Sequence, residues 1–172
     1  SLREHARLIK DHAMLHLDEH LENFATQAEA SGIQVHWARD GEEACRVIEH
    51  IARDANATRL VKSKSMTTEE IHLNEALQVA EIDPVETDLG EWIIQLAGET
   101  PSHIIAPAIH KSKEQIADLF VEKLAIEPTT EVEELAATAR KALRRHFAEA
   151  DLGVSGVNFA VAETGSILIL EN

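Results

Sequence analysis

The chain has 172 residues, of which 16 are Lys or Arg and 31 are Asp or Glu, so its formal net charge is −15. A chain of this length buries roughly 70% of the surface that its unfolded form exposes, which is enough for one hydrophobic core. The acidic balance argues against nucleic acid or an anionic membrane as partner, because both require a basic face. Cys45 is the only cysteine, which excludes an internal disulfide and a cysteine-ligated iron–sulfur cluster within these residues.

The location of the protein is predicted from features that a targeted chain would carry. No apolar run approaches the roughly 20 residues that a membrane-spanning helix needs. Residues 1–10 are charged and lack the apolar segment of a secretory signal. Together with the single cysteine, these features predict a cytoplasmic protein without a membrane span.

The first elements along the chain are predicted from hydrophobic spacing. Apolar residues recur every third or fourth position at the start of the chain, which predicts a long amphipathic helix over residues 1–31. Gly32 follows it, and residues 33–38 are expected to form a short strand. Asp40 is a suitable cap for the next helix. We therefore divide the chain into an N-terminal helix and an α/β domain over residues 32–172.

The rest of the chain alternates strands and helices. Strands are predicted at 59–62, 83–87 and 103–106, and a hairpin at 157–162 and 167–170. Capping pairs indicate three helix starts: Thr67 with Glu70, Ser112 with Gln115, and Thr130 with Glu133. This alternation predicts an α/β fold with a mostly parallel sheet flanked by helices. Because the chain stops directly after an apolar strand, we expect the domain to be incomplete.

Polar residues follow the predicted strands, at the edge of the sheet where parallel α/β proteins bind ligands. The first group suits a phosphate or carboxylate, because it contains two lysines and three hydroxyls. Its members are Lys62, Ser63, Lys64, Ser65 and Thr68. A capped turn with exposed lysines explains the same residues, and the absence of glycine excludes a P-loop.

Carboxylates and a histidine follow the next two strands. Glu86, Asp88 and Glu91 are suited to binding a cation, to orienting a ribose hydroxyl or to acting as a general base. An acidic, solvated loop at a helix start is equally natural. His110 is a candidate acid, base or ligand donor, although a loop histidine is more often simply exposed.

The C-terminal hairpin contains the last candidates, Asn158, Glu163 and Thr164, for which an ordinary polar turn is the alternative. No metal site is predicted. Three histidines lie four residues apart near the N-terminus, at positions 12, 16 and 20, but no His-Glu-x-x-His motif accompanies them.

Four blocks of the sequence resemble the signature of the LUD (lactate utilisation) domain family. The blocks are residues 61–74, 85–96, 101–110 and 156–165. They occur in the family's order, and the resemblance covers essentially the whole chain. Four blocks in series are far more specific than any one of them.

The resemblance implies a NagB/RpiA/CoA-transferase-like fold. It also implies an iron–sulfur subunit that acts with other lactate-utilisation subunits in converting L-lactate to pyruvate. Such members carry two 4Fe–4S clusters on cysteines that follow the LUD domain. This chain lacks those cysteines, so we expect no cofactor in this segment, clusters downstream of it, and an incomplete sheet.

The residues and the resemblance leave two functions open. In the first, the polar groups named above converge on one cleft and bind a small anionic ligand; no catalytic residue is assigned. In the second, the chain is a non-catalytic scaffold that docks the electron-transfer subunits through its N-terminal helix.

Overall fold

The computed structural model describes residues 1–103 and 106–170, which form eight helices and five strands. The helices are α1 (Leu2–Leu15), α2 (Leu17–Ala30), α3 (Gly41–Asp54), α4 (Met66–Glu70), α5 (Leu73–Val79), α6 (Leu89–Ala97), α7 (Lys113–Leu124) and α8 (Val132–Glu149). The strands are β1 (Arg59–Lys62), β2 (Asp83–Glu86), β3 (Leu152–Val154), β4 (Phe159–Val161) and β5 (Ser166–Leu168). Two compact units result, one of residues 38–156 and one of residues 1–37 with 157–172.

A parallel three-stranded sheet organises the unit of residues 38–156. The strand order is β2-β1-β3, so β1 lies in the centre. The register places Lys62, the last residue of β1, opposite Glu86 of β2 and Val154 of β3. The predicted α/β fold, a parallel sheet flanked by helices, is confirmed.

Helices cover both faces of this sheet, because side chains alternate along each strand. Leu60 packs on one face with buried residues of α3 and α5, among them Leu73 and Leu77. Val85 packs on the other face with residues of α6, α7 and α8. On that second face the rings of Trp92 and Phe120 lie 5.6 Å apart. Lys62 shares the face of Leu60, so its side chain enters the core on the α5 side.

The second unit combines α1 and α2 with the antiparallel hairpin β4–β5. Phe159 pairs with Leu168 in this hairpin, which confirms its prediction. The turn contains Gly165 at φ +67°, and a Cβ there would lie 2.2 Å from the backbone nitrogen of Ala28 in α2. Only glycine fits this approach.

Several local predictions were wrong. Residues 33–38 form no strand, and they have no strand partner in the described ranges. The helical pattern at the N-terminus is divided at His16, whose φ of −122° is not helical. The helix expected to start at Thr67 is divided at His72, whose backbone is left-handed. Its cap is Ser65 rather than Thr67, because the Ser65 hydroxyl accepts the Thr68 amide.

Two further differences concern the ends of the chain's central unit. The predicted capping pair of Thr130 and Glu133 is wrong, because α8 begins one residue later, with Glu131 at the N-cap and no side-chain cap bond. Strand β3 was not predicted, since Gly153 at its centre weakens the strand pattern. The strand predicted at 103–106 includes residues 104–105, which lie outside the described residues.

Among the residues that the structure describes, no helix has both the length and the apolar character needed to cross a membrane.

Candidate functional site

A buried ion pair lies at the carboxyl ends of β1 and β2. The parallel register aligns Lys62 with Glu86, and Lys62 Nζ lies 2.8 Å from Glu86 Oε1. The Lys62 side chain is 0% exposed and that of Glu86 is 6% exposed. Lys62 Nζ also donates to Thr68 Oγ1 at 3.1 Å, and Asn74 Nδ2 donates to Glu86 Oε1 at 2.7 Å. Four side chains from β1, β2, α4 and α5 therefore form one network.

This network is incomplete in the described part of the chain. Because a carboxylate only accepts, the bond from Asn74 Nδ2 leaves the amide oxygen of Asn74 pointing elsewhere. That oxygen and Glu86 Oε2 are both buried without a hydrogen-bond partner among the described residues. Buried acceptors are nearly always satisfied, and a ligand or water molecule that donates a hydrogen bond would satisfy these two.

A second ion pair lies beside the first. Lys64 follows β1, and its Nζ lies 2.8 Å from Glu91 Oε1 in the first turn of α6. Asp88 caps α6 by accepting from the Gly90 amide at 3.0 Å, and its carboxyl group lies close enough to that of Glu91 to shift its pKa. The Glu91 side chain is only 3% exposed. Two carboxyl groups and one ammonium group thus meet at the start of α6.

These contacts shift the pKa values in opposite directions. Burial, reinforced by the neighbouring Asp88 carboxyl group, raises the pKa of Glu91 to about 7. The proximity of Glu91 is in turn the main reason that the pKa of Asp88 is lowered. Burial lowers the pKa of Lys64, but the hydrogen bond and the charge of Glu91 outweigh it, so this pKa is raised overall.

A cavity of about 540 Å³ lies over both ion pairs. Lys62, Asn74, Glu86 and Glu91 belong to its lining, together with other residues of α4 and α5. The loop of residues 98–103, which follows α6, forms another wall. The cavity therefore occupies the edge of the parallel sheet at which ligands of α/β proteins bind.

The wall loop is attached by a small polar network. Glu99 lies 2.7 Å from Lys111 Nζ and 2.9 Å from His110 Nε2, and His110 Nδ1 lies 2.7 Å from the Ser102 hydroxyl. The hydrogen bonds from His110 and then Lys111 lower the pKa of Glu99. Both ring nitrogens of His110 are thus engaged in holding the loop.

The structure gathers most of the predicted residues of this unit. Lys62, Thr68, Glu86 and Glu91 line the cavity. Lys64 and Asp88 contact Glu91, Ser63 bonds to Ser155, and Ser65 caps α4.

The hairpin candidates lie in the other unit. Asn158 Oδ1 accepts from the Leu170 amide at 2.8 Å, and the Thr164 hydroxyl bonds to Ser166 at 2.9 Å. Glu163 is exposed. A role for these three residues in ligand binding stays a prediction.

Sequence reasoning missed two amides that shape the site. Asn74 completes the Lys62–Glu86 network, and Gln95 bridges β2 by accepting from the Glu86 amide at 2.9 Å and donating to the Pro84 carbonyl at 2.8 Å. Both lie within helices, where an amide carries no local signal. Asn74 closes the first sequence block, which was the one available indication.

Three histidines of the N-terminal helices lie near one another. The rings of His12 and His16 are 4.7 Å apart, and those of His12 and His20 are 6.0 Å apart. Within residues 1–103 and 106–170, no group of three or more His, Cys, Asp or Glu is arranged to hold a metal ion.

Comparison with known proteins adds a family and several relatives. The sequence model of the LUD domain matches residues 21–172. The chain is 47% identical to lactate utilization protein B of Bacillus velezensis, over 99% of this chain and 36% of the relative. The protein of the same name from Bacillus subtilis is 46% identical, over 95% of this chain and 34% of the relative. That from Oceanobacillus iheyensis is 45% identical, with the same two shares. The chain thus spans about a third of these relatives' length, and no solved structure matches it.

Proposed function

Because the chain belongs to the LUD domain family, which its residues 21–172 match, we propose that it serves lactate utilisation. It forms the LUD part of an iron–sulfur subunit in a bacterial complex that oxidises L-lactate to pyruvate. The support is the name shared by its relatives, lactate utilization protein B, at 45–47% identity. Since those relatives are about three times as long, the oxidation itself belongs to the larger assembly.

The cavity of the central unit is the proposed binding site for a small anionic ligand, with L-lactate as the first candidate. One observation carries this proposal: Lys62 is fully buried at the end of the central strand and also lines the cavity. An ammonium group has three N–H donors, and Glu86 and Thr68 account for two of them. The third is available to an oxygen of the ligand.

The charges around the cavity are compatible with such a ligand. Of the five glutamates in the described lining, three pair with a lysine: Glu86 with Lys62, Glu91 with Lys64, and Glu99 with Lys111. Their negative charges are therefore compensated at short range. An anion that binds next to Lys62 therefore meets compensated carboxylates, whereas Glu69 and Glu75 add negative charge elsewhere in the lining.

An iron–sulfur cluster does not fit this chain's own residues. Cys45 is its only cysteine, whereas a 4Fe–4S cluster is generally held by four. The Cys45 thiol is buried and donates to the Ile71 carbonyl at 3.3 Å, and burial raises its pKa. The clusters of the proposed subunit belong to the part of the protein outside these 172 residues.

A scaffold role is favoured by a separate observation on α1. None of the 14 residues of α1 is buried, and its large apolar side chains are exposed: Leu2, Leu8, Ile9, Met14 and Leu15. A partner subunit of the proposed complex is the occupant that would cover them. Removal of residues 1–15 from the full-length protein should then abolish co-purification with the partner subunits, and unchanged co-purification would refute the scaffold role.

The ligand site is tested by growth on L-lactate. A strain that depends on the full-length protein receives the variant Lys62→Met with Glu86→Leu, which removes both charges together. We expect growth on L-lactate to be lost and growth on glucose to be kept, with the protein at its normal level. Lys113→Met, at an exposed lysine, is the matched control and should grow like the wild type. Normal growth of the double variant on L-lactate would refute the site.

A further inference from the structure

The two oxygens of the Glu86 carboxylate have different surroundings. Oε1 lies 2.8 Å from Lys62 Nζ and accepts from Asn74 Nδ2 at 2.7 Å. Oε2 is buried and has no hydrogen-bond partner among the described residues. Since the whole residue is only 5% exposed, a free acceptor within it is unusual.

The amide of Asn74 adds a second free acceptor to the same network. Because an ionised carboxylate only accepts, the NH₂ group of Asn74 must face Glu86, and this fixes the orientation of the amide. The Asn74 amide oxygen is then directed elsewhere, and it is buried with no partner in the described ranges. Two side chains that contact each other therefore each present an acceptor without a donor.

Lys62 supplies the opposite polarity beside these acceptors. Its ammonium group has three N–H donors, and the contacts with Glu86 and Thr68 occupy two of them. Lys62, Asn74 and Glu86 all belong to the lining of the cavity. One spare donor and two spare acceptors thus border the same space.

We propose that the cavity selects 2-hydroxy carboxylates over the corresponding keto acids, with Glu86 Oε2 as the atom that recognises the hydroxyl group. This inference rests on the proposed function of the cavity. The carboxylate of the ligand accepts from Lys62, and its hydroxyl group donates to Glu86. In a 2-hydroxy acid the two groups are on adjacent carbon atoms, which matches the direct contact between Lys62 and Glu86.

The selectivity follows from the bonding capacity of the group at the second carbon atom. The hydroxyl group of L-lactate can donate a hydrogen bond, whereas the keto oxygen of pyruvate can only accept. Pyruvate would place that oxygen against the free oxygens of Glu86 and Asn74, which repel it. Propionate has neither group and leaves both acceptors unsatisfied. A site that bonds a substrate hydroxyl group rejects analogues without it, so both should bind at least about tenfold more weakly than L-lactate.

Calorimetry on the full-length protein measures this selectivity. L-Lactate, pyruvate and propionate are titrated separately, and each carries one negative charge at pH 7. We expect L-lactate to bind the most tightly by the stated factor. A smaller difference, or tighter binding of pyruvate or propionate, would overturn the inference and leave an anion site whose acceptors are satisfied by water. Absence of binding by all three would overturn the proposed site and the inference with it.

The variant Glu86→Gln tests the recognising atom, because it keeps the shape of the side chain and changes its bonding. The glutamine oxygen can accept from Lys62 and Asn74 as Glu86 Oε1 does, which places the NH₂ group at the position of Oε2. A donor then faces the ligand, so the preference for L-lactate over pyruvate should be lost. An unchanged preference would overturn the role of Glu86.

Glu75→Gln is the matched control for this variant. Glu75 also lines the cavity, but its side chain is 69% exposed. The same loss of charge there acts equally on two monoanions, so the ratio of the two affinities should stay at the wild-type value. If Glu86→Gln does not fold, the three ligands on the wild type still decide the inference.

Discussion

Replacing one partner of the Lys62–Glu86 pair is expected to lower the free energy of unfolding strongly, whereas replacing both partners should lower it less. In Lys62→Met, the Glu86 carboxyl group, whose side chain is 6% exposed, loses its ion-pair partner and retains the hydrogen bond from Asn74. Loss of one partner of a buried ion pair costs about 3–5 kcal/mol. Glu86→Leu leaves the buried Lys62 ammonium without its ion-pair partner and should lower the free energy of unfolding by a similar amount.

The double variant tests the reasoning behind these numbers. With both charges gone, the Asn74 amide loses its partner, and an unsatisfied buried group costs about 1–3 kcal/mol, whereas the Thr68 hydroxyl still donates to the Ser65 carbonyl at 2.9 Å. The double variant should therefore be more stable than either single one. Urea unfolding, followed by the fluorescence of the buried Trp92, gives the three free energies. Additive losses would show that the two side chains do not interact, and would refute the pair as a buried unit.

Three further predictions concern other parts of the chain. Gly165→Ala adds a Cβ at φ +67° and 2.2 Å from the backbone of α2, so it should lower the free energy of unfolding by at least about 2 kcal/mol. Gly32→Ala, where φ is +86° but nothing lies within 4 Å, should lower it by about 1 kcal/mol. Equal losses in the two variants would contradict the close approach. Phe120→Ala should cost about 3–5 kcal/mol by leaving a cavity in the core, against less than about 0.5 kcal/mol for the exposed Phe147→Ala, both by urea unfolding. Because folding raises the pKa of Glu91 from 4.5 to about 7, the folded state binds more protons than the unfolded state in that range. The free energy of unfolding should therefore fall as pH rises through it. Glu91→Gln should reduce this pH dependence, and an unchanged dependence would refute the raised pKa.

The parts of the fold that depend on short-range signals were predictable from the sequence. The limits of β1 followed from its apolar pattern, and the capping box of Ser112 and Gln115 is present as predicted. The family resemblance of the four sequence blocks is confirmed as well. In each case the determining residues lie within a few positions of one another or form a contiguous motif.

The features that failed depend on contacts between distant segments. Strand β3 is defined by pairing with β1, about 90 residues earlier, and its own three residues give almost no signal. The left-handed His72, which divides α4 from α5, likewise has no local marker.

The candidate site was predictable in its location but not in its chemistry. The residues that follow β1 and β2 do meet at one edge of the sheet, as parallel topology requires. That Lys62 lies beside Glu86, and Lys64 beside Glu91, depends on strand register and on the position of α6. The sequence therefore predicted charged groups that face a ligand. In the structure, each of these four groups also forms an ion pair with another of them.

The most direct test of the cavity as the ligand site is a crystal structure of the full-length protein with L-lactate bound. We predict that lactate lies in the cavity, with one of its oxygens within hydrogen-bonding distance of Lys62 Nζ. Lactate bound elsewhere, with the Lys62–Glu86 pair unchanged beneath an unoccupied cavity, would contradict the proposed site.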